Sequence, residues 1–333
     1  MSTIRRCRTN KSKDSVFTAP FEKTAYIAAV GGANVDIGAR SESALVPGDS
    51  NPGRIRVNPG GVCRNIAHNM ALMGLKVEMM TALGDDLYAN LIADSCAKLG
   101  VDLGQTVRIP GTSTSSYCYI ANHEGEMVLA VSDMEIYNQL TPQLLEPKLD
   151  WLNSADAVVL DTNLTEEAVA WRCKNVAVPV FADPVSTAKA VKLRPVLSGV
   201  HTLKPNRLEA EVLTGVKISD EESLNRAADV LLDTGVKRVF LTLGSGGVLA
   251  ADTESRIRLS SPGVIPVNTT GCGDAFAAAL VWATVQGKSL AECAVAGLAA
   301  AGIAMGGTET VNPLMSPERL ENEIYRLTEL QED

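Results

Sequence analysis

Tyr26-Ile27-Ala28-Ala29-Val30-Gly31-Gly32-Ala33-Asn34-Val35-Asp36 is the stretch that decides the fold. An apolar run closes on two glycines and then on Asn34 and Asp36. It reads as a buried strand whose carboxyl end opens into a ligand site, the place where open α/β sheets bind their ligands.

Reading outward, residues 37–59 are rich in Ser, Pro, Gly and Asn, and Arg54-Ile55-Arg56-Val57 alternates with period two. That pattern predicts an exposed ribbon or lid strand. Gly60-Gly61 leads into Arg64 to Gly74, a helix with apolar spacing of three and four that glycine stops. Val77 to Leu83 reads as a strand and Ala89 to Leu99 as a helix. Ser116 to Ala121 and Met127 to Val131 flank Asn122-His123-Glu124-Gly125, a hairpin-type turn. The lid is therefore expected in two parts, about 37–59 and 110–132.

After residue 150 the alternation is regular. Strands are expected at Ala157 to Leu160, Val178 to Ala182, Thr202 to Leu203, Val239 to Leu243 and Val248 to Ala250, with helices between most of them. Such alternation implies a mainly parallel sheet. Gly273 to Val285 and Leu290 to Ala304 are Ala-rich helices. The fold class is α/β, a three-layer sandwich with a mainly parallel central sheet and a small β-sheet lid. Residues 25–325 form one domain, and the polar leader 1–24 is expected to lack order.

Bulk properties limit the function. A net charge of −9 argues against a general nucleic-acid or anionic-membrane binder. The seven cysteines form no C-x-x-C pair, and the three histidines form no ligand-like pair. Neither a disulfide framework nor a zinc site is indicated, and a reducing cytoplasmic setting fits best. No signal peptide or spanning segment is recognisable.

The chemistry is expected at Asn268-Thr269-Thr270-Gly271-Cys272-Gly273-Asp274. Its glycines permit a tight turn with bare N–H groups, and the helix that follows adds its dipole, so the turn is a ready anion hole. A carboxylate at Asp274 can take a proton from a hydroxyl attacking a phosphorus centre held there. Alone, Asp274 reads equally as a helix cap. Its company is Gly60-Gly61-Val62-Cys63-Arg64-Asn65, then Lys204-Pro205-Asn206-Arg207-Leu208-Glu209, then Thr242-Leu243-Gly244-Ser245-Gly246-Gly247.

This order and spacing resemble the ribokinase-like, or PfkB-type, carbohydrate and nucleoside kinases over roughly residues 26–325. Asp49 to Ile55, Asn58-Pro59-Gly60-Gly61, Ala182-Asp183-Pro184-Val185-Ser186 and His201 to Glu211 look like the pseudouridine kinase branch. The resemblance implies ATP-dependent phosphorylation of a ribonucleoside 5′-hydroxyl. Alternatives are another nucleoside or sugar on the same scaffold, and a non-catalytic nucleoside sensor.

The resemblance also assigns roles. Asp274 is the base, with Gly271, Cys272 and Gly273 forming the anion hole. Asn34, Asp36, Gly60, Gly61 and Asn65 bind ribose. Ser116, Asn163 and Asp183 touch nucleobase or ribose. Asn206 and Glu209 organise Mg²⁺ through water. Asn206, Thr242, Gly244, Gly246, Gly247 and Thr270 serve ATP, with adenine near Val264 and Ala300 to Ala304. Asn268 and Thr270 mark a monovalent-cation (K⁺) site, although Asn268 stands where Asp is common. A homodimer through the lid is implied. Cys272 and Cys63 depart from the family pattern. They read as small buried side chains, or, for Cys272, as a thiol made acidic by the helix N-terminus.

Overall fold

The computed structural model describes residues 25–261, 263 and 266–332. The leader 1–24 and Val264 lie outside the described residues.

The central sheet has eight strands. They are β1 (Ile27–Val30), β4 (Val77–Met80), β9 (Ala157–Asp161), β10 (Val180–Asp183), β11 (Thr202–Leu203), β12 (Arg238–Thr242), β13 (Val248–Ala251) and β14 (Arg256–Leu259), in the order β14-β13-β12-β11-β10-β9-β1-β4. Pairing is parallel from β4 to β12, and antiparallel only for β12–β13 and β13–β14.

Three layers follow from side-chain alternation. Ile27 and Ala29 of β1 enter one apolar core, Ala28 and Val30 the other. In β9, Ala157 and Val159 enter the first, Val158 and Leu160 the second. Helices α1 (Val62–Leu72), α2 (Leu87–Ala97), α6 (Cys272–Val285), α7 (Leu290–Met305) and α8 (Pro317–Glu332) cover the first face. Helices α3 (Glu166–Asn175), α4 (Arg207–Thr214) and α5 (Glu221–Asp233) cover the second. A strand covered on both sides needs a continuous apolar run, and β1 has one.

The lid is a separate four-stranded sheet in the order β3-β2-β7-β8, from β2 (Asn34–Ser41), β3 (Gly53–Gly60), β7 (Ser116–Ala121) and β8 (Met127–Asp133). It begins at Asn34 rather than at 37, because the chain crosses from β1 into it within Gly31-Gly32-Ala33. The expected strand 77–83 is interrupted at Thr81: β5 (Ala82–Leu83) leaves the central sheet and pairs with β6 (Val107–Arg108). Among the described residues no helix is long and apolar enough to cross a membrane.

Candidate active site

The floor is built where β1 and β9 end. Asp161, the last residue of β9, is fully buried and accepts the N–H of Gly32 (3.0 Å), of Cys63 (3.1 Å) and of Asn163 (3.0 Å), plus Asn163 Nδ2 (2.8 Å). It ties the turn after β1 to the start of α1. Burial raises its carboxyl pKa, and these hydrogen bonds oppose the rise. Tyr137 Oη supports the same turn from the Ala33 carbonyl (2.7 Å). Gly61, the cap of α1, has φ 97°, and a Cβ there would stand 2.6 Å from the Gly32 oxygen. Both the dihedral and the close approach require glycine.

At the lid hinge, Asn34 Nδ2 donates to Asp36 Oδ1 (2.6 Å). Asn34 lies opposite Gly60 across the β2–β3 ladder, and a side chain on Gly60 would overlap the Asp36 carboxylate. Burial raises the Asp36 pKa; the Asn34 bond and the Arg64 charge oppose it. Arg64 is buried, and donates from Nε to Gly60 O (2.8 Å) and from Nη2 to Pro59 O (2.8 Å), buckling β3 to α1. Burial, then Arg64, depress the neighbouring His68 to about 4, so it is neutral near pH 7.

Asn65, on α1, reaches Asp274. Its Nδ2 donates to Asp274 Oδ2 at 2.8 Å across 209 positions of sequence. Asp274 lies in the first turn of α6, behind Gly271, which has φ 84° and whose missing side chain leaves room for the Thr310 carbonyl. The first N–H groups of a helix lack intrahelical partners and carry the positive end of its dipole. Burial, then the charge of Asp183, push the Asp274 pKa up to about 7, against Asn65, Lys204 and Arg64. Cys272 behaves opposite to an activated thiol: burial and the Asp274 charge raise it to about 11. Burial first, and then the neighbouring carboxylate, oppose the acidic thiol expected of a helix N-terminus.

Another corner of the site is built around Lys204. Its Nζ pairs with Asp183 Oδ2 (3.1 Å), both side chains 8% exposed, and lies 3.5 Å from where a Gly273 Cβ would be. Asn206 and Glu209 form a reciprocal capping box on α4: Asn206 Oδ1 accepts Glu209 N–H (2.9 Å), and Glu209 Oε2 accepts Asn206 N–H (2.8 Å). Glu209 is buried, and burial and the Asp183 charge raise its pKa. A β-bridge sets Thr242 beside Asn206. Gly244, Gly246 and Gly247 follow in a tight turn that Arg258 Nη2 holds through Gly246 O (2.7 Å).

Other expected contact residues lie apart from Asp36 or meet partners within the protein. Ser116 is in register with Val35, so it lies on the lid face opposite Asp36, and Tyr117 takes the place beside Asp36. Asp183 is 6% exposed, with both oxygens engaged, by Val185 N–H (2.8 Å) and by Lys204. Asn163 is engaged by Asp161 and by Lys189 Nζ, 2.5 Å from its Oδ1. Ala300 and Ala304, expected near adenine, are buried in the apolar core. Asn268 closes its own loop, with Oδ1 accepting Thr270 N–H (2.9 Å). Asp161 and Lys204 went unassigned, although both end apolar strands at the sheet's carboxyl edge.

Known proteins fit this geometry. The model of the pfkB family carbohydrate kinases matches residues 24–317. The chain is 39% identical to a pseudouridine kinase of Escherichia coli (strain K12), over 87% of this chain and 94% of that one. It is 36% identical to an uncharacterised sugar kinase of the same organism, over 88% and 82% of the two chains. Among solved structures, a carbohydrate kinase from Agrobacterium tumefaciens superposes with a TM-score of 0.80 at 28% identity, covering 91% and 98% of the chains. An Arabidopsis thaliana ribokinase complexed with ribose and ATP superposes at 0.81 with 24% identity over 90% and 99%, which speaks to the fold. The chain belongs to the pfkB family of carbohydrate kinases.

Proposed function

We propose that the protein transfers the γ-phosphoryl group of ATP, with Mg²⁺, to the 5′-hydroxyl of a ribonucleoside, with pseudouridine as the preferred substrate. One observation carries this reading: Asn65 holds Asp274 from the same helix that Gly60-Gly61 opens, so the diol-binding corner and the base form one rigid unit.

Asp36, with Asn34 fixing one oxygen, is suited to accept from two vicinal hydroxyls. Asp274 takes the 5′-hydroxyl proton as that oxygen attacks in line, and a carboxyl pKa of about 7 suits proton transfer near neutrality. N–H groups of Gly271 to Asp274 and the Lys204 ammonium face the developing negative charge. The donor set fits Mg²⁺ held largely by water and phosphate, since Glu209 is a buried carboxylate with an oxygen outside the capping box. When bound, that ion neutralises phosphate charge. The Asn268 geometry gives a K⁺ ion no carboxylate, so we expect at most a weak monovalent-cation effect.

Identity of 39% to a pseudouridine kinase supports the substrate, and the like identity to a sugar kinase keeps another nucleoside or sugar as the second reading. The lid supports a homodimer. Ile55, Ala39, Ile120 and Leu129 align in one cross-strand row, and Val57, Ile37, Cys118 and Val131 in the next, all on the face opposite Asp36. Leu129 (59%) and Val131 (65%) are widely exposed, and two such apolar rows call for a cover.

The test is ATP consumption against pseudouridine, uridine, adenosine, inosine, ribose and fructose. Pseudouridine should give the highest kcat/KM. Turnover of none would overturn the enzyme reading in favour of a sensor, and preference for a free sugar would overturn the nucleoside.

A further inference from the structure

Val185 is the sole non-glycine with positive φ (63°) among the described residues. A β-branched side chain in the left-handed region is a genuine outlier. Ser186 N–H bonds back to Pro184 O (2.6 Å), closing a three-residue turn of the rare, strained kind. Thr162 Oγ1, wholly buried, donates to the same Pro184 oxygen (2.6 Å). Inside the turn, Val185 N–H donates to Asp183 Oδ1 (2.8 Å), leaving Oδ2 for Lys204. Lys204 is held from behind as well: its own N–H donates to Ala182 O (3.3 Å), and Thr242 N–H takes Pro205 O (2.9 Å).

Local strain of this kind survives where the surroundings over-determine it, and it gathers at working sites. Glycine would adopt this conformation freely, so stability alone gives no reason for valine. What the turn achieves is directional. It aims one carboxylate at one ammonium, and that ammonium stands at the first turn of α6, where the proposed function puts the transferring phosphoryl group.

We propose that the Pro184-Val185-Ser186 turn is a strained latch, held by Thr162, that fixes Asp183 as a positioning residue for Lys204. The proposal rests on the kinase reading in one respect only, that a phosphoryl group passes beside Lys204. With the latch open, the turn relaxes, Asp183 swings off, and the ammonium loses its fixed place.

The test uses the full-length protein, the best substrate of the panel, and the variants Asp183→Asn, Thr162→Val and the double variant Thr162→Val/Val185→Gly. Asp183→Asn and Thr162→Val should each lower kcat by about 10- to 100-fold, the range a misplacement of about 1 Å produces, with both KM values little changed. The double variant should recover most of the loss, because glycine keeps the turn without strain once Thr162 no longer holds it. Side-chain ¹⁵N NMR of the Lys204 ammonium reads the same point without activity: slow hydrogen exchange in the wild type, fast exchange in Thr162→Val, slow again in the double variant. Loss of KM alone, no recovery in a folded double variant, or unchanged ammonium exchange would each overturn the latch. A wild type that phosphorylates nothing, yet shows the ammonium pattern, would instead remove the kinase reading and leave the latch standing.

Discussion

Replacing Asp274 by Asn should make the protein more stable and nearly inactive, with the stabilisation depending on pH. The carboxyl is raised from its usual 3.8 to about 7 by burial and by Asp183. A folded-state pKa above the unfolded one means that the native protein binds the extra proton between these values. Stability is then fully present below about pH 4 and is lost as pH rises to about 7. A shift of about three units corresponds to about 4 kcal/mol, an upper bound because Asp274 retains some solvent contact. Asn carries no charge at any pH and keeps an oxygen for Asn65. Urea unfolding at about pH 8 should therefore show Asp274→Asn more stable by roughly 1–4 kcal/mol, and the gap should narrow by about pH 5 and close towards about pH 4. In the same variant kcat should fall by about 10²–10⁴-fold, the usual contribution of a general base. For the wild type, kcat/KM should fall tenfold per pH unit below an apparent pKa near 7. A variant less stable than wild type by the same amount at both pH values would refute the strained carboxylate. Retained turnover would refute the base.

Other consequences are open to measurement. Gly271→Ala must hold φ 84° with a Cβ against the Thr310 carbonyl, so it should lower stability by at least the ~1–2 kcal/mol of a left-handed non-glycine residue and displace the anion hole; thermal unfolding and kcat read both. Glu209→Gln keeps the capping geometry but removes the charge, so the Mg²⁺ concentration for half-maximal rate should rise severalfold while the nucleoside KM holds. Val131→Lys places a charge on the β8 edge of the apolar lid face and should turn the proposed dimer into a monomer by light scattering; an unchanged mass would remove the lid as the interface.

Much of this molecule is legible from local pattern. The β1 run, the glycine stops and the Ala-rich α6 and α7 announce the sheet and its covering helices, because hydrophobic period and helix punctuation act over a few residues. For the same reason the ends of β9 to β13 fall within two residues of expectation. The segment Arg256 to Leu259, not among the expected strands, is β14 and alternates charged and apolar residues, while α8 is too polar to announce its packing. The site motifs were visible as separate islands whose residue types suit phosphoryl chemistry.

What the amino-acid sequence determined by itself was therefore the element types, the three-layer class and the identity of the acid at position 274. Partnership was decided by the tertiary structure alone. Asn65 meets Asp274 across 209 positions, Asp161 binds two turns that begin 129 and 98 positions earlier, and Lys204 chooses Asp183. Whether a carboxylate recognises substrate or holds another side chain depends on which donors arrive at its oxygens. Those donors come from distant strands and helices, so the partners of Asn163 and Asp183 were set only when the sheets and helices were assembled. The pKa of Asp274 has the same origin: burial and a neighbouring charge exist only once the chain is folded.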